Sequence, residues 1–305
     1  MISRYTYNGL TWVDLESPTR EEIIHMSEEF ALPPLVGEEM FSSTLQSKVD
    51  LYDNFAYLIM HFPVMNKDET GAREQEIDFI IGKKFIITVR YESIEPLASF
   101  AKTFETDSHM DRDKLTMHAG YIFTEMMKLF YRRSLKELGD ITNTIRDIEN
   151  RIFSGKEGST VKRISYTSRK LLDFKQALRF HPDILESYET TSKRFFGEEY
   201  SYYASLVTSE FNKVNNVLEG HRDILSELQR TNNSLLSTKS NEILRTFTVM
   251  TFVMMPLTII TGIFGMNTVQ NLIFIRNLKD FYIVIGAMIL TGIVMFTFFR
   301  LRKWL

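Results

Sequence analysis

The alternation of apolar and polar positions changes character twice along the chain. In the first part, short β-branched and aromatic runs alternate with polar ones. TYNGLTWVDL reads as a β-hairpin with Asn8-Gly9 at its turn, because that dipeptide tolerates the positive φ angles a tight hairpin needs. Segments 48–64 and 76–90 (EIDFIIGKKFIITVR) are strand-like, with Gly82-Lys83-Lys84 marking a turn. Ahead of both, Ser17-Pro18-Thr19-Arg20-Glu21-Glu22 starts a helix, with Pro in its first turn and Thr19/Glu22 as a capping box. From about residue 111 glycine becomes sparse and the period becomes helical, with breaks near residues 155–159, at His181-Pro182 and at Gly197.

The last polar helix runs from about Tyr200 to Gly265. Its apolar positions recur through Val207, Phe211, Val214, Val217, Leu218, Ile224, Leu225 and Leu228. A helix this long points to a bundled or coiled assembly. At residue 246 the pattern changes again: residues 246–275 carry no formal charge, and neither do residues 281–299. Nineteen helical residues span roughly 28 Å, about the hydrocarbon thickness of a bilayer. Two membrane spans are therefore expected, at about 246–265 and 281–299, joined by a loop at 266–280. The fold predicted is an α/β domain (1–110), then long helices (111–245), then a membrane region (246–305) ending in a tail at 300–305.

Charge adds orientation. Of 36 Lys+Arg and 39 Asp+Glu residues, residues 241–305 hold six and two, leaving a net charge of −7 on residues 1–240. An acidic soluble part lacks the basic footprint that nucleic acid requires. The tail carries Arg300, Arg302 and Lys303 beside Trp304, whereas the loop has two cations and one anion. The positive-inside rule then places both termini in the cytoplasm and the loop outside. With no cysteine, thiolate metal sites and cysteine nucleophiles are excluded. No apolar run opens the N-terminus, so no secretory signal is expected. No arrangement of nucleophile, base and acid is signalled either, and no enzyme activity is expected.

One stripe of the first span is unlike the rest. Asn241, Leu244, Thr248, Thr251, Met255, Thr258 and Gly262 follow steps of 3, 4, 3, 4, 3 and 4, the spacing of a helical seam. Small and polar residues on one stripe of a spanning helix call for another helix or for water. Around an axis shared by several copies, the stripe would line a pore, with Leu244 and neighbouring Phe247 as an apolar constriction that gates by dewetting. Two spans cannot enclose a conduit, so this reading requires a homo-oligomer. A packing seam in a simple membrane anchor has the same spacing.

The stretch NEILRTFTVMTFVMMPLTIITGIFGMN (241–267) resembles the first transmembrane helix of the CorA family of divalent-cation channels. Met-Pro-Leu-Thr (255–258) and Gly-Met-Asn (265–267) stand at the family's separation, before a second span that finishes in Arg-Lys-Trp-Leu. TWVDLESPTREE, LPPLVGEEM and FIIGKKFIITVR look like the family's cytoplasmic domain. The resemblance implies a homopentamer in a prokaryotic inner membrane, with the α/β domain set on a funnel of long helices. It implies passive influx of Mg²⁺, with Co²⁺ and Ni²⁺ also accepted. Gly265, Met266 and Asn267 would be the selectivity element at the outer mouth, and Asn241, Leu244, Met255 and Thr258 match pore-facing positions. Mg²⁺ gives up water reluctantly. Five neutral Asn267 carbonyls can accept hydrogen bonds from its hydration shell without the tight hold of a carboxylate ring.

The chain departs from the family pattern in two places. Thr268-Val269-Gln270-Asn271-Leu272 replaces an acidic loop, which keeps the family's zinc-transporting branch as the alternative reading. Glu38 and Glu39 match acidic residues that bind regulatory Mg²⁺ across a subunit interface, but their partner position on the long helix is Leu206. Glu210, one turn away, is the candidate substitute. Asp107, His109, Asp111 and Asp113 have neither the order nor the glycine of a calcium loop, and GKEGST (155–160) inverts a phosphate loop.

Overall fold

The computed structural model describes residues 1–7, 9–44, 46–65, 72–106, 118–302 without 266–277, and 304. They fall into two compact units, Met1–Gln229 and Arg230–Leu305.

In the first unit, β1 (Ile2–Tyr7) and β2 (Leu10–Glu16) form the expected hairpin, paired from Tyr7↔Leu10 to Ile2↔Leu15. Gly9 sits at φ 78°, where a side chain would be strained. The apolar run 48–64 is two antiparallel strands, β3 (Lys48–Leu51) and β4 (Phe55–Met65), turned at Asp53-Asn54. Tyr52 N–H donates to Phe55 C=O at 3.0 Å and their rings stack at 4.5 Å. β5 (Ala72–Gly82) and β6 (Phe85–Arg90) follow, and the six-stranded order is β1-β2-β6-β5-β4-β3. Among the described residues, β2/β6 is the parallel pair and the other pairs are antiparallel.

That central parallel pair is fastened by polar groups. Trp12 Nε1–H donates to Thr88 Oγ1 (3.0 Å), Thr88 donates to Asp14 (2.7 Å), and Arg90 bridges Asp14 (3.0 Å) and Glu16 (2.9 Å). All are cross-strand neighbours or adjacent to them, so the buried Asp14 is fully partnered, as a charge excluded from water must be.

One sheet face packs on α1 (Arg20–Glu29) and α2 (Pro34–Glu39) through Val13, Leu15, Ile23, Met26, Val36, Ile59, Ile80 and Val89. α1 has the capping box between Thr19 and Glu22, but starts at Arg20. Pro18 therefore precedes the cap rather than entering the first turn. The other face packs on α3 (Glu95–Thr106) and α4 (Gly120–Phe153) through ring contacts such as Phe62–Phe130 (4.5 Å), Phe79–Phe123 (5.3 Å) and Trp12–Phe100 (5.3 Å). α2, at six residues, is too short to show a helical period, and α3 was not anticipated from sequence.

α5 (Glu157–Ala177) and α6 (His181–Phe196) follow the expected breaks. GKEGST is a helix–helix turn: Gly155 takes φ 79°, while Ser159 and Thr160 hydroxyls donate to Lys156 C=O at 2.9 and 2.8 Å. The polar link between sheet and helices is His181, fully buried, whose Nε2–H donates to His61 C=O (2.8 Å) while Nδ1 accepts from Tyr131 OH (2.9 Å). Burial lowers its pKa to about 4, so it stays neutral and makes both bonds.

α7 (Ser201–Gly265) is the long helix. In the first unit it buries Val207, Phe211, Val214, Leu218, Leu225 and Leu228, while Val217 and Ile224 of the predicted stripe stay exposed. In the second unit α7 continues to Gly265 and is followed by α8 (Leu278–Leu301), which exceeds the predicted 281–299 by three residues at its start and two at its end. Both helices are long and apolar enough to cross a membrane. The α/β region, the long helices and the two C-terminal apolar helices are as the sequence predicted.

Candidate functional site

Residues 241–265 form an uninterrupted helix despite Pro256 and a run of threonines. Pro256 has no N–H for the Phe252 carbonyl, which removes one helical hydrogen bond. Each stripe threonine instead bonds back to its own helix. Thr248 donates to Leu244 C=O (2.8 Å), Thr251 to Phe247 C=O (2.9 Å) and Thr258 to Met254 C=O (2.9 Å). With its hydrogen committed to the backbone, each hydroxyl presents only acceptor lone pairs outward. An oxygen-acceptor stripe suits the water shell of a cation.

The stripe is not covered within the chain. Leu244, Phe247 and Met255 are about 60% exposed, Asn241, Thr251, Thr258 and Gly262 are exposed, and Thr248 is half-buried. The second span covers a different face: Val249 and Phe299 are the buried apolar side chains among the described residues of this unit. Gly265 is the last residue of α7, whereas Met266 and Asn267 lie outside the described residues, as do Asp107, His109, Asp111 and Asp113.

The second sequence-flagged cluster is on α2. Glu38 lines the rim of a groove between α1 and α2 with Arg20, Ile24 and Phe41. Glu39 is held by the Lys48 ammonium at 2.6 Å, and Lys48 also reaches Asp50 at 2.6 Å and lies 5.3 Å over the Tyr57 ring. Burial works to lower the Lys48 pKa, but its hydrogen bonds to Asp50 and Glu39 raise it on balance. Glu210 pairs with Lys213 on its own helix (2.7 Å), beside a half-buried Leu206. Among the described residues of this single chain, no three His, Asp or Glu side chains converge to hold a metal.

A network unread from sequence lies next to Glu39. Tyr57 OH donates to Asp78 (2.9 Å), and Glu76 lies two residues away on the same face of β5. Glu76 accepts from Thr44 N–H (2.6 Å) and faces His61 Nε2 at 3.3 Å. Burial, then the Glu76 charge, pushes the Asp78 pKa well above the carboxylate range. Burial opposes protonation of His61, but Glu76 and the Thr44 carbonyl raise its pKa on balance. The signal was available: Glu76 and Asp78, at i and i+2, share one face of the strand where it runs into the apolar stretch FIIG.

A family model described as CorA-like Mg²⁺ transporter protein matches residues 7–303. The chain belongs to the CorA family. Among curated CorA-family relatives, the cobalt/magnesium transport protein CorA of Thermotoga maritima is 22% identical over 296 residues, covering 97% of this chain and 83% of that protein. A putative metal ion transporter, YfjQ of Bacillus subtilis, is 23% identical over 256 residues, covering 84% and 78%. Among solved structures, the complete CorA magnesium transporter of Methanocaldococcus jannaschii superposes with a TM-score of 0.82 at 18% identity, over 100% of this chain and 94% of that one. The ZntB cytoplasmic domain of Vibrio parahaemolyticus gives 0.55 at 13% identity, over 75% and 88%. The CorA architecture thus extends over the whole chain.

Proposed function

We propose that five copies of this chain form a channel in the inner membrane of a prokaryotic cell, with both termini in the cytoplasm, that lets hydrated Mg²⁺ enter passively. Residues 246–305 form the membrane region and residues 111–245 the stalk above which the α/β domain is built. The observation that carries the reading is the acceptor-lined stripe of α7, left bare by α8 and in need of other copies or water. Asn241, Thr248, Thr251, Met255, Thr258 and Gly262 line the path. Leu244 and Phe247 form its apolar gate, and Gly265-Met266-Asn267 selects at the outer mouth. Co²⁺ and Ni²⁺, of similar size and hydration, pass as well; the transport names of the relatives support this class of cargo.

Glu38, Glu39 and Glu210 are the groups we assign to closure by cytoplasmic Mg²⁺. Lys48 already neutralises Glu39, so the ion must displace an ammonium. Mg²⁺ uptake into proteoliposomes tests the function. The native protein is expected to conduct and Asn267→Ala to lose selectivity for Mg²⁺; a native protein that carries no ion would leave a membrane-anchored binding protein. The loop after Asn267 contains no carboxylate up to Asp280, which favours Zn²⁺ as a second cargo reading. Competition of Zn²⁺ against Mg²⁺ in the same vesicles decides between them.

A further inference from the structure

Among the described residues of the second unit, a cation–π contact joins α7 to the residues after α8 and is not used by the conduction path. The Arg245 guanidinium lies 5.9 Å from the centroid of the Trp304 ring. Trp304 in turn rests 6.0 Å from Phe299, tilted by 38°, and its backbone N–H donates to Phe299 C=O at 3.0 Å. Phe299 meets Phe252 at 6.3 Å. Arg245, Val249 and Phe252 are spaced i, i+4 and i+7, so one face of α7 receives the end of α8 and the residues after it. Val249 and Phe299 are 5% and 7% exposed and are the buried apolar side chains among the described residues of this unit. The two helices are therefore knotted together at this end.

We propose that Trp304 is a positioning residue: by clasping Arg245 it fixes the rotation of the first span at Leu244, the adjacent residue. The inference rests on the proposed function for Leu244, and on the geometry alone for the clasp. One residue of helix is about 100° of rotation. The face held by Trp304 therefore lies beside, and not on, the stripe that carries Leu244, Thr248 and Thr251. A turn of Leu244 about the helix axis carries Arg245 with it and must either drag Trp304 or break the contact. A cation over an indole face is attracted by the ring quadrupole and is strongest for tryptophan, so Phe or Gln at these positions keeps the shape and weakens the hold.

The two tryptophans of the chain make the clasp measurable without transport. Trp12 is 0% exposed and Trp304 is 46% exposed, so acrylamide quenching of the full chain in detergent reports Trp304. Arg245→Gln is expected to raise that quenching and Arg245→Lys to leave it near native; equal quenching in all three overturns the clasp. For the gating role, Mg²⁺ flux is measured in Arg245→Gln, Trp304→Ala and the double variant. Each single variant is expected to change the flux in the same direction by ~2- to 5-fold, the scale of an exposed cation–π contact. The double variant is expected to go no further than either. Additive effects, or single variants with native flux, overturn the positioning role. A native protein that conducts nothing overturns the proposed function and the gating role with it, while the quenching result still decides the clasp.

Discussion

Lys48 is the residue whose removal tests most directly how the cytoplasmic unit treats cations. Its ammonium is shared between Glu39 and Asp50, each at 2.6 Å, with 30% of the Lys48 side chain exposed and 26% and 39% of its two partners. Pairs this open to water contribute about 0.2–1 kcal/mol each, so losing both costs ~1 kcal/mol. Lys48→Met keeps the stem and places a thioether near Tyr57, which limits the loss of packing. In a unit of 229 residues, ~1 kcal/mol lowers the unfolding temperature by about 2–4 °C. The variant also leaves Glu39 and Asp50 without their cation, so added Mg²⁺ gains two free carboxylates. Thermal unfolding of the full chain in detergent, with and without Mg²⁺, should show a lower apo transition in Lys48→Met and a larger upward shift on adding the ion than in the native chain. Equal Mg²⁺ shifts in the two proteins, or an apo transition that does not fall, would refute the view that Lys48 is the resident counter-ion of this patch.

Two further substitutions test the packing beneath it. Asp78 has a pKa raised by burial and by Glu76, so the folded state holds its proton more tightly than the unfolded chain. That contribution is fully present below the unfolded carboxylate pKa of about 3.9 and is lost progressively as pH rises toward the folded value. Asp78→Asn, which can still accept from Tyr57, should flatten the fall in unfolding temperature with rising pH and be the more stable form at alkaline pH; parallel pH profiles would contradict this. Gly120 carries the Tyr200 ring, which a Cβ would meet at 2.8 Å, while Tyr200 OH donates to Gly120 C=O at 2.8 Å. Gly120→Ala should therefore cost ~1–3 kcal/mol of stability by denaturant titration, whereas an ordinary exposed helical glycine would gain from the same change.

What could be read from sequence followed the strength of the local signal. The β1–β2 hairpin, the Thr19–Glu22 cap and the helix breaks at Gly155 and Gly197 each rest on a residue whose backbone demand is nearly unique. The two C-terminal spans were equally plain, because long charge-free runs have few other uses. The parallel pairing of β2 with β6 was not legible, since partners 74 residues apart, such as Thr88 and Asp14, offer no local cue. The Lys48–Glu39 pair and the Arg245–Trp304 contact were missed for the same reason. A charge on a strand or at a span end looks solvated until its partner's place is known. Val217 and Ile224 show the opposite error: they match the helical period, yet stand exposed because the sheet and helices cover only part of the circumference.

The membrane end of α7 violates helix preference in a way that argues for the proposed path over a plain anchor. A helix built only to span would be filled with leucine, yet this one places Thr248, Thr251 and Thr258 on one stripe and Pro256 in its interior. Threonine is a weak helix former and proline removes a hydrogen bond outright. The threonines donate to the carbonyls four residues back, at 2.8–2.9 Å, an arrangement that spends each hydroxyl hydrogen internally. What remains on the outside is a row of oxygen acceptors with no donors, of no benefit against lipid and suited to the hydrogens of water around a cation. The face turned to α8, by contrast, carries the buried Val249, with the Phe252 ring 6.3 Å from Phe299. The stripe thus differs from the face beside it in exposure and in the polar groups it presents, as a functional surface is expected to differ from its scaffold.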